Sequence, residues 1–240
     1  GSGVTNRVSD VIDRPTGNLI DTSFTYQNSD DTRKGLSYNL RGGIDFFINP
    51  KNTLSFIAST SIRNSTGNEF NATKQYLDPF KTDIKQNFDR TSTDDGKGSG
   101  NEFTLNYKKT FDTPGQELTA DLYFSNGIRN SDENLTSYDY LLDTSSYEKT
   151  TNDSKNYSIT FQSDFVKPIG NGGRLETGIK GIIRSSDANY IFKTSPLSSG
   201  PWIINTDVSN RFVLSDKVYA GYAIYSNTIG PVSYQGGLRI

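Results

Sequence analysis

The sequence predicts an all-β fold: an antiparallel transmembrane β-barrel of about eight strands, with short periplasmic turns and long extracellular loops, forming part of a larger barrel. Three observations carry this. Segments alternating between apolar and polar residues recur along the chain, their connections are short at one end and long at the other, and no stretch keeps a convincing helical period. In a strand, successive side chains point to opposite faces, so alternation means one face in an apolar medium and the other in water.

A short candidate strand begins near Leu19 in "LIDTSFTYQ", and residues 1–35 are read as an N-terminal loop with this first strand, leaving 36–240 as the barrel segment. In "LSYNLRGGIDFFI", Leu36, Tyr38, Leu40, Ile44, Phe46 and Ile48 oppose Ser37, Asn39, Arg41, Asp45 and Phe47. Next, Leu54, Phe56, Ala58, Thr60 and Ile62 oppose a series ending in Arg63. Phe103 to Phe111 and Leu118 to Phe124 follow, the second with Asp121 on its polar side. Tyr157, Ile159, Phe161 and Phe165 oppose Gln162 and Asp164, and Leu175, Ile179 and Ile183 oppose Glu176, Lys180 and Arg184. "VYAGYAIYS" carries aromatics on both faces and is ambiguous, while "VSYQGGLRI" alternates cleanly.

The connections divide these strands into two ends. "NPKN", "DTPGQ", "KPIGNGG" and "TIGP" are short and rich in turn formers, with Pro50, Pro114, Pro168 and Pro231 spaced by 64, 54 and 63 residues. Alternation stops over 64–100, 129–155 and 185–210, which predicts long polar loops. Strands of about nine to eleven residues, enough to cross a bilayer at a tilt, fit between. "FNATKQYLDPFKTDIKQNF" has helix-like spacing broken at Pro79 and predicts a short loop helix.

Composition bounds the function. The chain has 240 residues, 14 Tyr, 14 Phe and a net charge of −2, and shows no basic stripe, so nucleic acid is not an expected partner. It lacks Cys and His, which removes disulfides, Cys-ligated zinc, the commonest metal ligand and any Ser-His-Asp triad; no cofactor, metal or catalytic residue is expected. Mean hydropathy is −0.63 and no run of 18 apolar residues exists, so no membrane helix is predicted. The opening Gly1-Ser2-Gly3 and the lack of Met predict an excised or mature segment.

In a membrane barrel the polar series faces the lumen, which nominates Arg41, Asp45, Arg63, Asp121, Gln162, Asp164, Glu176, Lys180 and Arg184, and the apolar series faces lipid, which nominates Phe46, Phe56, Phe111, Phe161, Phe165 and Ile179. Phe46, Phe111 and Phe165 sit near turns, as an interfacial girdle requires, and Lys109 interrupts the apolar series close to the "DTPG" turn. Trp202 falls in an exposed loop. "TSTDDGKGSGNE" suggests a phosphate loop or calcium site, but Thr91 stands where the phosphate loop needs its first Gly, so a flexible loop tip is expected. Asn64, Asn71, Asn134, Asn152 and Asn156 begin Asn-x-Ser/Thr triplets at the frequency chance gives in so polar a chain. Carboxylates converging for glycoside hydrolysis are outweighed by the nearby Arg and Lys able to pair with them, and the chain is not expected to be an enzyme.

"GIDFFINPKNTLSF", "LNYKKTFDTPGQELTADLYFS", "QSDFVKPIGNGGRLETGIKGIIRSSDANYIF" and "VSNRFVLSDKVYAGYAIYSNTIGPVSYQGGLRI" together resemble the outer-membrane β-barrel family of Bacteroidetes, proteins similar to TonB-dependent receptors. The resemblance implies a bacterial outer-membrane location, lipid and an unidentified solute as partners, and a role in solute binding or uptake. A plug domain and TonB-type energy coupling are implied only through the parent protein. Two other readings compete: a soluble all-β ligand-binding module, lipocalin-like barrel or sandwich, which would bury Leu175, Ile179 and Ile183, and a self-contained small membrane barrel with a structural or adhesive role.

Overall fold

The computed structural model describes residues 2–12, 22–78 and 80–240. The strands are β1 (Ser2–Ile12), β2 (Thr22–Asn49), β3 (Asn52–Tyr76), β4 (Ile84–Thr110), β5 (Glu117–Asp139), β6 (Thr144–Ile169), β7 (Gly173–Ser195), β8 (Ile203–Ile204), β9 (Asn210–Ile229) and β10 (Val232–Arg239). Nine of them form one antiparallel meander in chain order, β1-β2-β3-β4-β5-β6-β7-β9-β10, and the two-residue β8 pairs with β7. The sheet is open, with β1 and β10 as its edges.

The tight ends form where the sequence places turn residues. Gln116 N–H donates to the Thr113 carbonyl at 3.0 Å, with Pro114 and Gly115 between and Gly115 at φ 80°. This is a type II turn: Pro presets the first central residue, and the second requires a positive φ that Gly adopts without strain.

The other end corrects the sequence reading. The three expected loops are largely strand: 64–76 continues β3, 84–100 opens β4, 129–139 ends β5, 144–155 opens β6 and 185–195 ends β7. Strands therefore run to 28 residues in β2 and 27 in β4, far beyond the length that crosses a bilayer. Loss of alternation marks the loss of a dry face, and a ladder wetted on both sides keeps its backbone hydrogen bonds. Cross-strand polar pairs accompany it: Asn130 Nδ2 donates to Asp153 at 2.5 Å and Thr151 Oγ1 to Asp132 at 2.9 Å.

Among the described residues the expected loop helix does not form. Instead, the Asp78 carboxylate accepts the amides of Phe80 at 2.8 Å, Thr82 at 2.9 Å and Asp83 at 2.6 Å, closing a turn between β3 and β4. An aspartate that gathers successive amides offers the backbone an alternative to the helix. The supposed loop tip 91–102 lies within β4, and the boundary at residue 35 falls inside β2. Leu19 lies outside the described residues.

Among the described residues no hydrophobic side chain is buried. Leu40 is 72% exposed, Ile44 66% and Phe46 64%, all on one face of β2. Among the described residues no second sheet or helix covers that face. The soluble barrel or sandwich is therefore not what forms, because such a module would bury this face against a core. The open sheet likewise differs from a self-contained closed barrel.

Candidate functional site

Register fixes which side chains share a face, because directly paired residues point the same way. One row runs Asp45–Ser55–Asn106–Asp121–Gln162–Lys180–Ala220 from β2 to β9. Four positions along the strands, another runs Arg41–Ser59–Glu102–Ser125–Ser158–Arg184–Asp216. Arg63 lies four positions beyond that, in a row with Gly98 and Arg129, while Asp164 and Glu176 lie toward the tight turns. All nine polar candidates thus occupy one face.

This face is concave. Residues of β2, β3, β4, β5, β6, β7 and β9 line one cavity, from Asn39 and Arg41 to Leu214 and Asp216. Seven strands laid flat span roughly 29 Å at about 4.8 Å per step. A round cavity of its volume, about 760 Å³, is only about 11 Å across. The sheet must roll for both flanks to reach it, as strand twist and tilt allow.

Many polar side chains on this face are paired. Asn106 Nδ2 donates to Asp121 at 2.6 Å, and Asp164 accepts from Gln162 Nε2 at 2.8 Å and from the Tyr222 hydroxyl at 2.6 Å. Arg184 meets Asp216 at 2.5 Å, Arg174 meets Glu176 at 2.9 Å and Lys108 meets Glu117 at 2.7 Å. Tyr222 and Asp216 escape the sequence reading; β9 has aromatics on both faces, and only pairing with β7 assigns them. Gly178 is required here, since a Cβ would fall 2.3 Å from Asp164 Oδ1 and 2.4 Å from Tyr222 Cε1.

The opposite, apolar face holds Phe46, Phe56, Phe161, Phe165 and Ile179, in register with Leu54, Leu105, Gly181, Thr177 and Ser163 respectively. Phe111, just past β4, joins them by edge contact with Phe165 at 6.0 Å between ring centroids. Phe103 stacks between Phe56 at 6.3 Å and Phe124 at 6.2 Å. Lys109 turns its ammonium over the Phe111 ring at 4.9 Å, so the charge that interrupts the series leans toward the turn. The apolar run covers about nine residues per strand, which at ~3.3 Å per residue and ~40° tilt gives a band roughly 23 Å tall, close to the apolar height of outer-membrane barrels.

Beyond the band polar side chains stand on both faces, with exposed apolar residues such as Phe70, Phe212 and Val213 scattered among them. Arg211 clamps Asp187 through Nε at 2.9 Å and Nη2 at 2.7 Å, and the guanidinium holds the Asp187 carboxyl below its usual range. Tyr140 donates to Asp89 at 2.6 Å, a bond that raises its phenol. Trp202 lies between β7 and β8 with the Lys149 ammonium 4.1 Å from its ring centroid. Among the described residues no group of three or more Asp or Glu could hold a metal ion.

A rolled antiparallel meander with an uncovered apolar band outside and a polar concave face inside defines a membrane β-barrel protein. The model of the outer membrane protein beta-barrel family matches residues 109–240, more than half of the chain, and the chain belongs to that family. No curated protein matches it. Its location is the bacterial outer membrane.

Proposed function

We propose that this chain forms part of the wall of an outer-membrane receptor or transporter that binds or takes up a solute, of the kind found in Bacteroidetes proteins similar to TonB-dependent receptors. The observation that carries this reading is that the nine charged and amide side chains share the concave face, while the apolar band faces outward. The concave face is the lumen. There, Asp45, Gln162, Lys180 and their row neighbours offer donors and acceptors that replace part of a solute's hydration, and the extended hairpins above form the outer vestibule. Lipid contacts the band through Phe46, Phe56, Phe161 and Ile179. Plug and energy coupling belong to the parent protein.

The wall works by binding rather than by bond cleavage. Asp121 and Asp164 are each held by amide or phenol donors, an arrangement that supports a structural lumen. Nucleic acid is not a partner in this reading.

The test exploits the absence of cysteine. Single-cysteine variants at Asp45, Gln162 and Lys180, reconstituted in lipid vesicles, are expected to react with a membrane-impermeant maleimide. Cysteines at Phe56 and Phe161 are expected to stay protected. Equal labelling of both sets contradicts the solute-lining role.

A further inference from the structure

The concave face contains a second groove, of about 720 Å³, between β2 and β5 and nearer the extended hairpins. Its floor comes from Gly96, Gly98 and Gly100, and its walls carry Arg33, Arg63 and Arg129; among the described residues no carboxylate and no aromatic ring lines it. The row below is different in kind, since there Arg184 is neutralised by Asp216 and Glu102 lies 3.4 Å from the Ser59 hydroxyl.

Register sharpens the contrast. Arg63 on β3 and Arg129 on β5 both pair with Gly98 on β4, so the two arginines stand astride a residue with no side chain. Their backbones are roughly 10 Å apart, two inter-strand steps. Among the described residues neither has an ion-pair or hydrogen-bond partner. Arg33 is already 3.4 Å from Asp31 and contributes general positive charge.

Packing does not explain Gly98. A Cβ there would meet only the Ile128 carbonyl oxygen at 3.6 Å, an ordinary contact, and its φ is not in the left-handed region. The sheet would accept a side chain, yet the position between two unpaired guanidiniums is left open. The missing side chain keeps the groove deep where an occupant would lie.

We propose that this groove is an oxyanion-binding site, selecting solutes that carry phosphate or carboxylate groups and passing them from the vestibule to the lumen. This rests on the lumen reading above. Guanidinium suits oxyanion capture because it is planar, always charged, and able to engage two oxygens at once. Two of them astride a glycine fit a small polyanion with two charged ends. The lack of an aromatic platform speaks against a neutral sugar, which would be held by stacking.

The full chain in detergent micelles is titrated calorimetrically with pyrophosphate, citrate and, as the neutral comparison, maltotriose. Saturable binding of at least one anion is expected, weakened at least about tenfold by Arg63→Gln or Arg129→Gln. Raising sodium chloride from about 50 mM to about 500 mM weakens it as well. Gly98→Leu, which fills the groove without changing charge, lowers affinity similarly, while Lys51→Gln at the opposite end leaves it unchanged. Tighter binding of pyrophosphate assigns a phosphate-bearing solute, and tighter binding of citrate a carboxylate-bearing one. Equal binding of maltotriose, or affinity unmoved in the Arg63→Gln/Arg129→Gln double variant, overturns the site. So does an absence of anion binding by chain that has its β signal in micelles, a result that leaves the membrane reading intact. Chain that is monodisperse and folded without detergent overturns both.

Discussion

Ile179→Arg and Lys180→Gln alter neighbouring residues on opposite faces of β7, so they separate the effect of facing from that of position. Ile179 is 58% exposed at the middle of the apolar run from Leu175 to Ile183. Its cross-strand partners, Ser163 and Gly221, offer no carboxylate to a new cation. The nearer edge of the band is four residues away, roughly 13 Å along the strand at ~3.3 Å each, or about 10 Å of depth at a ~40° tilt, farther than an arginine side chain reaches. Arginine near the bilayer midplane of a barrel costs ~2–4 kcal/mol, or about a 30- to 700-fold loss in the folding equilibrium. Lys180→Gln exchanges one polar side chain for another on the concave face and is expected within about 0.5 kcal/mol of the parent. The assay is urea titration of chain folded into phospholipid vesicles, followed by far-UV circular dichroism and by the single tryptophan, Trp202. Equal losses for both variants, or a larger loss for Lys180→Gln, would refute the facing assignment.

Phe103→Ala removes both ring contacts from the stack with Phe56 and Phe124 and is expected to lower stability in vesicles by about 1–3 kcal/mol. Phe80→Ala, at a turn residue 84% exposed, should change it by less than about 0.5 kcal/mol in the same titration; comparable losses would show that the stack contributes nothing. Asp78→Ala should accelerate hydrogen exchange at the amides of Phe80, Thr82 and Asp83 about tenfold or more. The hydrogen bond from the Asp83 amide is the largest of the causes that hold the Asp78 carboxyl below its ordinary 3.8. A depressed folded pKa means the turn's stabilisation is complete above that ordinary value and is lost as pH falls through the folded one. In the parent, those amides should therefore stay protected at pH 5 and lose protection only below 3.8; a loss already complete at pH 5 would contradict the carboxylate's role.

The two-faced character of the sheet is legible in the sequence because a period of two survives wherever one face is dry: Ile179 and Lys180 reveal their faces by parity alone. The strand ends are not legible. From Thr91 to Gly100 both faces are wet, so the same residues that read as a loop tip form a β ladder whose partners lie on β3 and β5. The helix-like spacing around Pro79 misleads because Asp78 gathers amides, a three-dimensional event that hydrophobic period does not encode. The shared face of the nine polar candidates is legible by parity, while Tyr222, Asp216 and every pairing are not. Arg184 and Asp216 are separated by 32 residues, and Tyr222 reaches Asp164 across 58. Arg129 draws no notice in the sequence, and Gly98 enters only within "TSTDDGKGSGNE", read there as a flexible loop tip; register alone sets both beside Arg63.

The central claim is that the concave polar face meets water and the opposite face meets lipid. It is tested most directly by placing a nitroxide spin label, one residue at a time, from Leu175 to Arg184 in vesicle-reconstituted chain and measuring relaxation by molecular oxygen, which concentrates in lipid, and by a water-soluble nickel chelate. The account predicts that oxygen dominates at Leu175, Thr177, Ile179, Gly181 and Ile183, and the chelate at Glu176, Gly178, Lys180, Ile182 and Arg184. Chelate access to both series, or the reverse alternation, would contradict it.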